Sequence, residues 1–121
     1  MPISKILVVD DAATDRMNLQ KILSDAGYQV VAAASGVEAL EKASSEKPDL
    51  IFLDIVMESM DGYQACRKLS KGEVTKNIPI IMVSSKNQEV DKLWAQKQGA
   101  VAYICKPYTA DDITDQIQKL Q

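Results

Sequence analysis

Hydrophobic positions along this chain fall into two kinds of stretch with different periods. Five short runs are apolar at nearly every position and rich in branched side chains: residues 5–10, 29–34, 50–54, 79–84 and 101–105. Runs of this length, apolar on both faces, predict strands of a sheet that is covered on both sides. The run at 29–34 is the weakest of the five, because half of it is alanine.

Between and after these runs, apolar residues recur at the spacing of a helix. Capping-box spacing at residues 35–38, a similar start at residues 61–64 and Thr109 mark helix beginnings, while Gly27 and Gly99 mark helix ends. The apolar stripes that support these predicted helices are Leu19, Ile22, Leu23 and Ala26; Val37, Leu40 and Ala43; Val90, Leu93 and Trp94; and Ile113, Ile117 and Leu120.

Strand and helix therefore alternate five times with short connections. This pattern predicts an α/β fold in which a parallel sheet carries helices on both faces. Right-handed crossovers restrict the winding, and the flavodoxin-like strand order 2-1-3-4-5 fits five strands and five helices, with a site where strands 1 and 3 diverge. We expect a single domain over residues 1–121, because this length suits one compact domain and no linker or repeat interrupts it.

Composition and charge exclude several classes of function. The formal net charge of −3 argues against direct nucleic-acid binding. No apolar run approaches the roughly 20 residues that cross a bilayer, and no signal peptide precedes the first strand, so we expect a cytoplasmic protein without membrane insertion. Cys66 and Cys105 form no spaced framework and are expected to be reduced. The absence of histidine excludes an imidazole base or ligand.

Acidic, hydroxyl and basic residues close separate strands of the predicted sheet. Asp10 and Asp11 end the first strand, Asp54 ends the third, Ser84 ends the fourth, and Lys106 follows the fifth. Ligands of open α/β sheets bind at these ends, and carboxylates that meet there repel one another unless a cation joins them. Their hard oxygen atoms favour Mg²⁺. A carboxylate beside a divalent ion, a lysine and a hydroxyl can attack phosphorus and retain the acyl phosphate.

Each of these residues alone is more commonly a helix cap, a turn residue or a solvated side chain, so the argument depends on their coincidence. With that set in place, the chain resembles the CheY-like response regulator receivers of bacterial two-component signalling over essentially its whole length. The matching motifs are Val-Val-Asp-Asp at 8–11, Leu-Asp at 53–54, Met-Asp-Gly at 60–62, Val-Ser-Ser at 83–85 and Lys-Pro at 106–107.

The resemblance implies a role for each strand-end residue. These roles are the phospho-acceptor, Asp54; the Mg²⁺ ligands, Asp10, Asp11, Asp54 and the backbone carbonyl of Val56; the phosphoryl-binding residues, Ser84 and Lys106; and the switch residues, Ser84 and the aromatic Tyr103. The peptide bond between Lys106 and Pro107 is predicted to be cis, because the lysine has to turn back towards Asp54 and only X-Pro bonds take that form at low cost.

The resemblance also implies a signalling switch rather than an enzyme, one that assists only its own phosphorylation and dephosphorylation. A sensor histidine kinase of the CheA type would donate the phosphoryl group, and a downstream protein would contact residues 89–98 and 103–120. We expect a monomer or weak dimer without an output domain. Residues 53–57, 62–65, 86–94 and 98–100 resemble the stand-alone twitching-motility regulators of the PilH type, which implies type IV pilus or chemotaxis-like control.

One residue departs from the family pattern, and rival functions remain to be weighed. Glu58 stands where the family usually has proline, which predicts a looser loop and an added negative charge. A dehalogenase-type phosphatase would need a second aspartate where Val56 stands. A flavodoxin-type flavin carrier would need a phosphate-cradling loop, which Asp10 and Asp11 would oppose. A degenerate receiver that only docks is a further alternative. Trp94 fits either a partner contact or a core position.

Overall fold

The computed structural model describes residues 2–121, which form a three-layer α/β fold. The strands are β1 (Lys5–Val9), β2 (Gln29–Ala33), β3 (Leu50–Leu53), β4 (Ile80–Ser84) and β5 (Ala102–Cys105). The helices are α1 (Ala13–Asp25), α2 (Gly36–Glu46), α3 (Gly62–Lys71), α4 (Glu89–Gln98) and α5 (Ala110–Leu120). Strand and helix thus alternate as predicted, with strand boundaries shifted by one residue at most.

The five strands pair in parallel in the order β2-β1-β3-β4-β5. This order confirms the predicted flavodoxin-like architecture. The chain reverses its direction of winding between β1 and β3, so the loops that follow these two strands diverge there and leave a crevice at their carboxyl ends.

Two hydrophobic cores lie on opposite faces of the sheet, because successive strand residues point to opposite sides. Leu7 and Leu53 face the core beneath α2, α3 and α4. Ile6 and Phe52 face the core beneath α1 and α5. All four side chains are almost fully buried, which explains why these strands are apolar at nearly every position.

Side-chain caps begin three of the helices where the sequence predicts them. The side chains of Ser35, Asp61 and Thr109 accept hydrogen bonds from backbone N–H groups three residues further along. These bonds satisfy donors that a helix leaves unpaired in its first turn.

One residue in each of the predicted apolar stripes of α1 and α2 is exposed. Val37 is 51% exposed, because the buried face of α2 consists of Gly36, Ala39 and Ala43. Successive helix residues are rotated by about 100°, so Val37, which follows Gly36, points outwards. Ala26 is exposed as well, since α1 ends at Asp25 and its buried contacts come from Leu19 and Leu23.

Helix α4 exposes most of its large apolar side chains. Val90, Leu93 and Trp94 are 63%, 57% and 48% exposed, and the helix buries Ala95 instead. The sequence is compatible with Trp94 either at a partner contact or in the core, and the structure shows it at the surface.

None of the helices in residues 2–121 combines the length and apolarity needed to span a membrane.

Candidate functional site

The pairing of β1 with β3 sets two aspartates side by side. Val9 pairs with Leu53 in the register of the sheet, so the next residue of each strand, Asp10 and Asp54, leaves at the same edge. A backbone hydrogen bond of 3.0 Å from the N–H of Asp54 to the carbonyl of Val9 extends this pairing by one step. Both carboxylates are more than nine-tenths buried.

Asp11 completes a cluster of three carboxylates at this crevice. One oxygen from each of Asp10, Asp11 and Asp54 lies within 4.8 Å of the other two, with Asp11 exposed to solvent. Hard, negatively charged oxygens at this spacing, two buried and one open to water, suit a small divalent cation that keeps part of its hydration shell. The donor set therefore fits Mg²⁺.

Burial and repulsion within the cluster both make Asp54 a weaker acid. Burial, followed by the negative charge of Asp10, raises the pKa of Asp54 to about 6, although Lys106 and a hydrogen bond from the N–H of Ile55 oppose the change. That hydrogen bond is 2.8 Å long and reaches Oδ1 of Asp54. Its second oxygen, Oδ2, faces Lys106 at 3.6 Å, beyond hydrogen-bond distance.

Lys106 reaches the crevice from the end of β5 and contacts two other carboxylates. Its Nζ donates to Oδ2 of Asp10 and to Oδ2 of Asp15, each at 2.9 Å. Burial alone would lower the pKa of Lys106, but its hydrogen bonds to Asp15 and Asp10 and the nearby charge of Asp54 hold that pKa above its ordinary value. The peptide bond that follows, between Lys106 and Pro107, is cis.

Sequence reasoning missed Asp15. The residue lies in the first turn of α1, where a carboxylate is commonplace because it favours the positive end of the helix dipole. Its role as a partner of Lys106, which is 91 residues away along the chain, depends on the tertiary fold, which brings the first turn of α1 near the end of β5. The sequence carries no signal for such a contact.

Ser84 ends β4, Tyr103 lies on β5, and both side chains are hydrogen-bonded to the backbone of Lys86. Ser84 is fully buried at the end of β4, and its Oγ accepts a 3.3 Å hydrogen bond from the N–H of Lys86. The hydroxyl of Tyr103 donates a 2.7 Å hydrogen bond to the carbonyl of Lys86. Burial is the main reason that the pKa of Tyr103 rises to about 12, so this hydroxyl stays a donor at physiological pH.

The loop after β3 borders the acidic cluster. Its Val56 side chain is 56% exposed and apolar, so it offers no acid or base of the kind that a dehalogenase-type phosphatase needs there. The N–H of Glu58 donates to Oδ2 of Asp11 at 3.3 Å, and Ser59 follows with a left-handed φ of 65°. A proline at position 58 could not make that hydrogen bond. The departure from the family pattern thus ties the loop to Asp11.

Gly62 brings the start of α3 against the backbone that follows β3. Its N–H donates to the carbonyl of Ile55 at 2.8 Å. A Cβ on Gly62 would lie 2.2 Å from the carbonyl oxygen of Asp54 and 2.6 Å from Cα of Ile55. Only glycine therefore permits this approach.

Comparison with known proteins places the fold and the site in a family context. A family model described as "Response regulator receiver domain" matches residues 6–118. Protein PilH of Pseudomonas aeruginosa is 43% identical over 104 residues, which cover 86% of each chain. Several other curated relatives are transcriptional regulators, and the chain spans 44–48% of their length.

Solved structures agree with the family match. The chemotaxis protein CheY4 of Vibrio cholerae superposes with a TM-score of 0.92 at 30% identity, covering 98% of this chain and 99% of that one. The receiver domain of a sensor histidine kinase from Pseudomonas aeruginosa superposes with a TM-score of 0.89 at 26% identity, covering 96% and 95%. The latter structure is described with a magnesium ion coordinated in its active-site cleft.

Proposed function

Because the chain belongs to the response regulator receiver family, we propose that it is a phosphoryl-accepting switch of a two-component system, with Asp54 as the acceptor. The observation that carries this proposal is the position of Asp54. Its buried carboxylate lies within 4.8 Å of the other two acids of the cluster and 3.6 Å from Nζ of Lys106. A nucleophile so placed would have two cations beside it once a metal ion binds.

Mg²⁺ is the cofactor that this donor set supports. Asp10, Asp11, Asp54 and the backbone carbonyl of Val56 would hold it. The magnesium ion in the active-site cleft of the histidine kinase receiver supports the choice of this ion. When bound, the ion would offset the negative charge of these carboxylates and of an incoming phosphoryl group.

The proposed phosphoryl transfer is a displacement at phosphorus. A carboxylate oxygen of Asp54 attacks phosphorus, the bond from phosphorus to the donor nitrogen of a phosphohistidine breaks, and the electron pair leaves with that nitrogen. Lys106 and the hydroxyl of Ser84 then bind phosphoryl oxygens. The result is an acyl phosphate, held by charge rather than by further covalent chemistry.

The readout of this event is proposed to be α4, β5 and α5, residues 89–98 and 103–120. Ser84 moves towards the new phosphoryl oxygens, and the space that it leaves allows Tyr103 to turn inwards, which biases a two-state arrangement of the surface. The exposed Val90, Leu93 and Trp94 give this face an apolar stripe for a partner. A map of NMR chemical shifts with and without beryllofluoride tests it, since changes confined to the Asp54 crevice would exclude this readout.

The physiological setting follows from the relatives. Similarity to PilH supports type IV pilus or chemotaxis-like control, with a CheA-like histidine kinase as donor and a downstream protein as target. We propose a cytoplasmic receiver over residues 1–121 that works as a monomer or weak dimer. It acts as a switch, and its own acyl phosphate is the only substrate that it turns over.

Incubation with a small phosphodonor and Mg²⁺ tests the acceptor assignment. We expect the intact mass to rise by one phosphoryl group, and Asp54→Asn to abolish the increase. Asp25→Asn is the matched control, because Asp25 pairs with Lys21 on the surface of α1, away from the crevice. Full labelling of Asp54→Asn would refute the assignment.

A further inference from the structure

Lys106 is shared between two carboxylates in a way that the proposed chemistry does not require. Its Nζ lies at the same distance, 2.9 Å, from Asp10 and from Asp15, and 0.7 Å further from Asp54, at 3.6 Å. Two of the three N–H groups of the ammonium are thus engaged by carboxylates that do not accept the phosphoryl group.

The two partners of Lys106 differ in what else they contact. Asp10 belongs to the carboxylate cluster that could hold a cation, whereas Asp15 does not. Asp10 is 8% exposed and also accepts a hydrogen bond from the N–H of Ala12, while Asp15 is 49% exposed. A cation bound in the cluster would interact with the carboxylate of Asp10 and weaken its hold on Lys106. Asp15, which is outside the cluster, would then be the carboxylate that still binds Lys106.

We propose that Asp15 is a positioning residue that holds Lys106 aside and so slows the phosphorylation of Asp54. The inference rests on the proposed function, because it concerns how the ammonium becomes available to the phosphoryl group. The oxygens of that group must compete with Asp15 for the same N–H donors.

Asp15→Asn removes the competing charge and keeps the size of the side chain. At saturating Mg²⁺, we expect the initial rate of phosphorylation by a small phosphodonor to rise by about twofold to fivefold, the effect typical of a partly exposed ion pair. Asp15→Glu keeps the charge and should stay close to the unaltered protein. Asp25→Asn, on the same helix, serves as the control for loss of a surface carboxylate.

A double-mutant cycle with Lys106→Ala shows whether Asp15 acts through the lysine. We expect Asp15→Asn to have no effect on the rate when Lys106 is absent. The half-saturating concentration of beryllofluoride at fixed Mg²⁺ provides a second measurement, because a binding equilibrium needs no turnover. It should fall by a similar factor in Asp15→Asn.

The outcomes separate the inference from the proposed function. Normal phosphorylation of the unaltered protein, with equal rates and beryllofluoride binding in Asp15→Asn, would overturn the inference alone. Acceleration by Asp15→Asn that persists with Lys106→Ala would also overturn it, because a general charge effect would then explain the change. A protein that accepts no phosphoryl group at all would overturn the proposed function and this inference with it.

Discussion

Replacement of Asp54 by asparagine should stabilise the protein at neutral pH when divalent cations are removed. Asp54 is only 7% exposed, and its carboxylate lies beside that of Asp10. Asparagine has nearly the same shape and carries no charge. Its side-chain oxygen can accept the hydrogen bond that the N–H of Ile55 now donates to Oδ1 of Asp54.

The size of the effect follows from the raised pKa of Asp54. That pKa is about 6 in the folded protein against an ordinary value of 3.8. A tenfold change in an ionisation constant corresponds to about 1.4 kcal/mol, so the ionised carboxylate costs the folded state about 3 kcal/mol. This cost already includes the attraction of Lys106, which lowers the pKa of Asp54. This cost is absent below pH 3.8, where the group is protonated in both states, and is fully present above pH 6.

Denaturant unfolding in the presence of a chelator, from pH 4 to pH 8, measures this difference. We expect the two proteins to be about equally stable at pH 4, and Asp54→Asn to gain up to about 3 kcal/mol in unfolding free energy by pH 8. A variant that is less stable at pH 8, or a difference that does not change with pH, would refute the electrostatic explanation.

Asp49→Asn provides a control with the opposite sign. Hydrogen bonds from the backbone N–H groups of Lys5 and Ser4, each 3.0 Å long, lower the pKa of Asp49. Its carboxylate therefore stabilises the fold above its ordinary pKa and loses that contribution as the pH falls through the lowered value. We expect Asp49→Asn to lose about 1–3 kcal/mol at pH 7 and less in acid.

Two further outcomes test the metal site and the close approach of α3. Mg²⁺ at roughly a hundred times its dissociation constant should stabilise the protein by about 2.7 kcal/mol; an equal shift of the thermal midpoint in Asp54→Asn would contradict a site that includes this carboxylate. Gly62→Ala should lower the unfolding free energy by about 1–3 kcal/mol, because the added Cβ meets the backbone of Asp54 and Ile55; a loss no larger than that of the exposed neighbour Gln64→Ala, measured by denaturant titration, would argue against this contact.

The order of elements and the location of the site could be read from the sequence. Strands buried on both faces must be apolar at successive positions, so the five runs identified them, and the polar residues that end β1, β3 and β4 marked the edge at which a ligand binds. The parallel pairing of β1 and β3 then brings Asp10 and Asp54 together. These features depend on short stretches of chain and on general rules of topology.

Contacts between distant elements were decided only in the folded protein. The partnership of Asp15 with Lys106, the outward turn of Val37 and the exposure of Trp94 each depend on how far a helix is rotated as it packs on the sheet. A rotation of one residue, about 100°, moves a side chain from the core to solvent without changing the pattern along the chain. The volumes that interdigitate at each interface set that rotation, and the residues that supply them are far apart in the sequence.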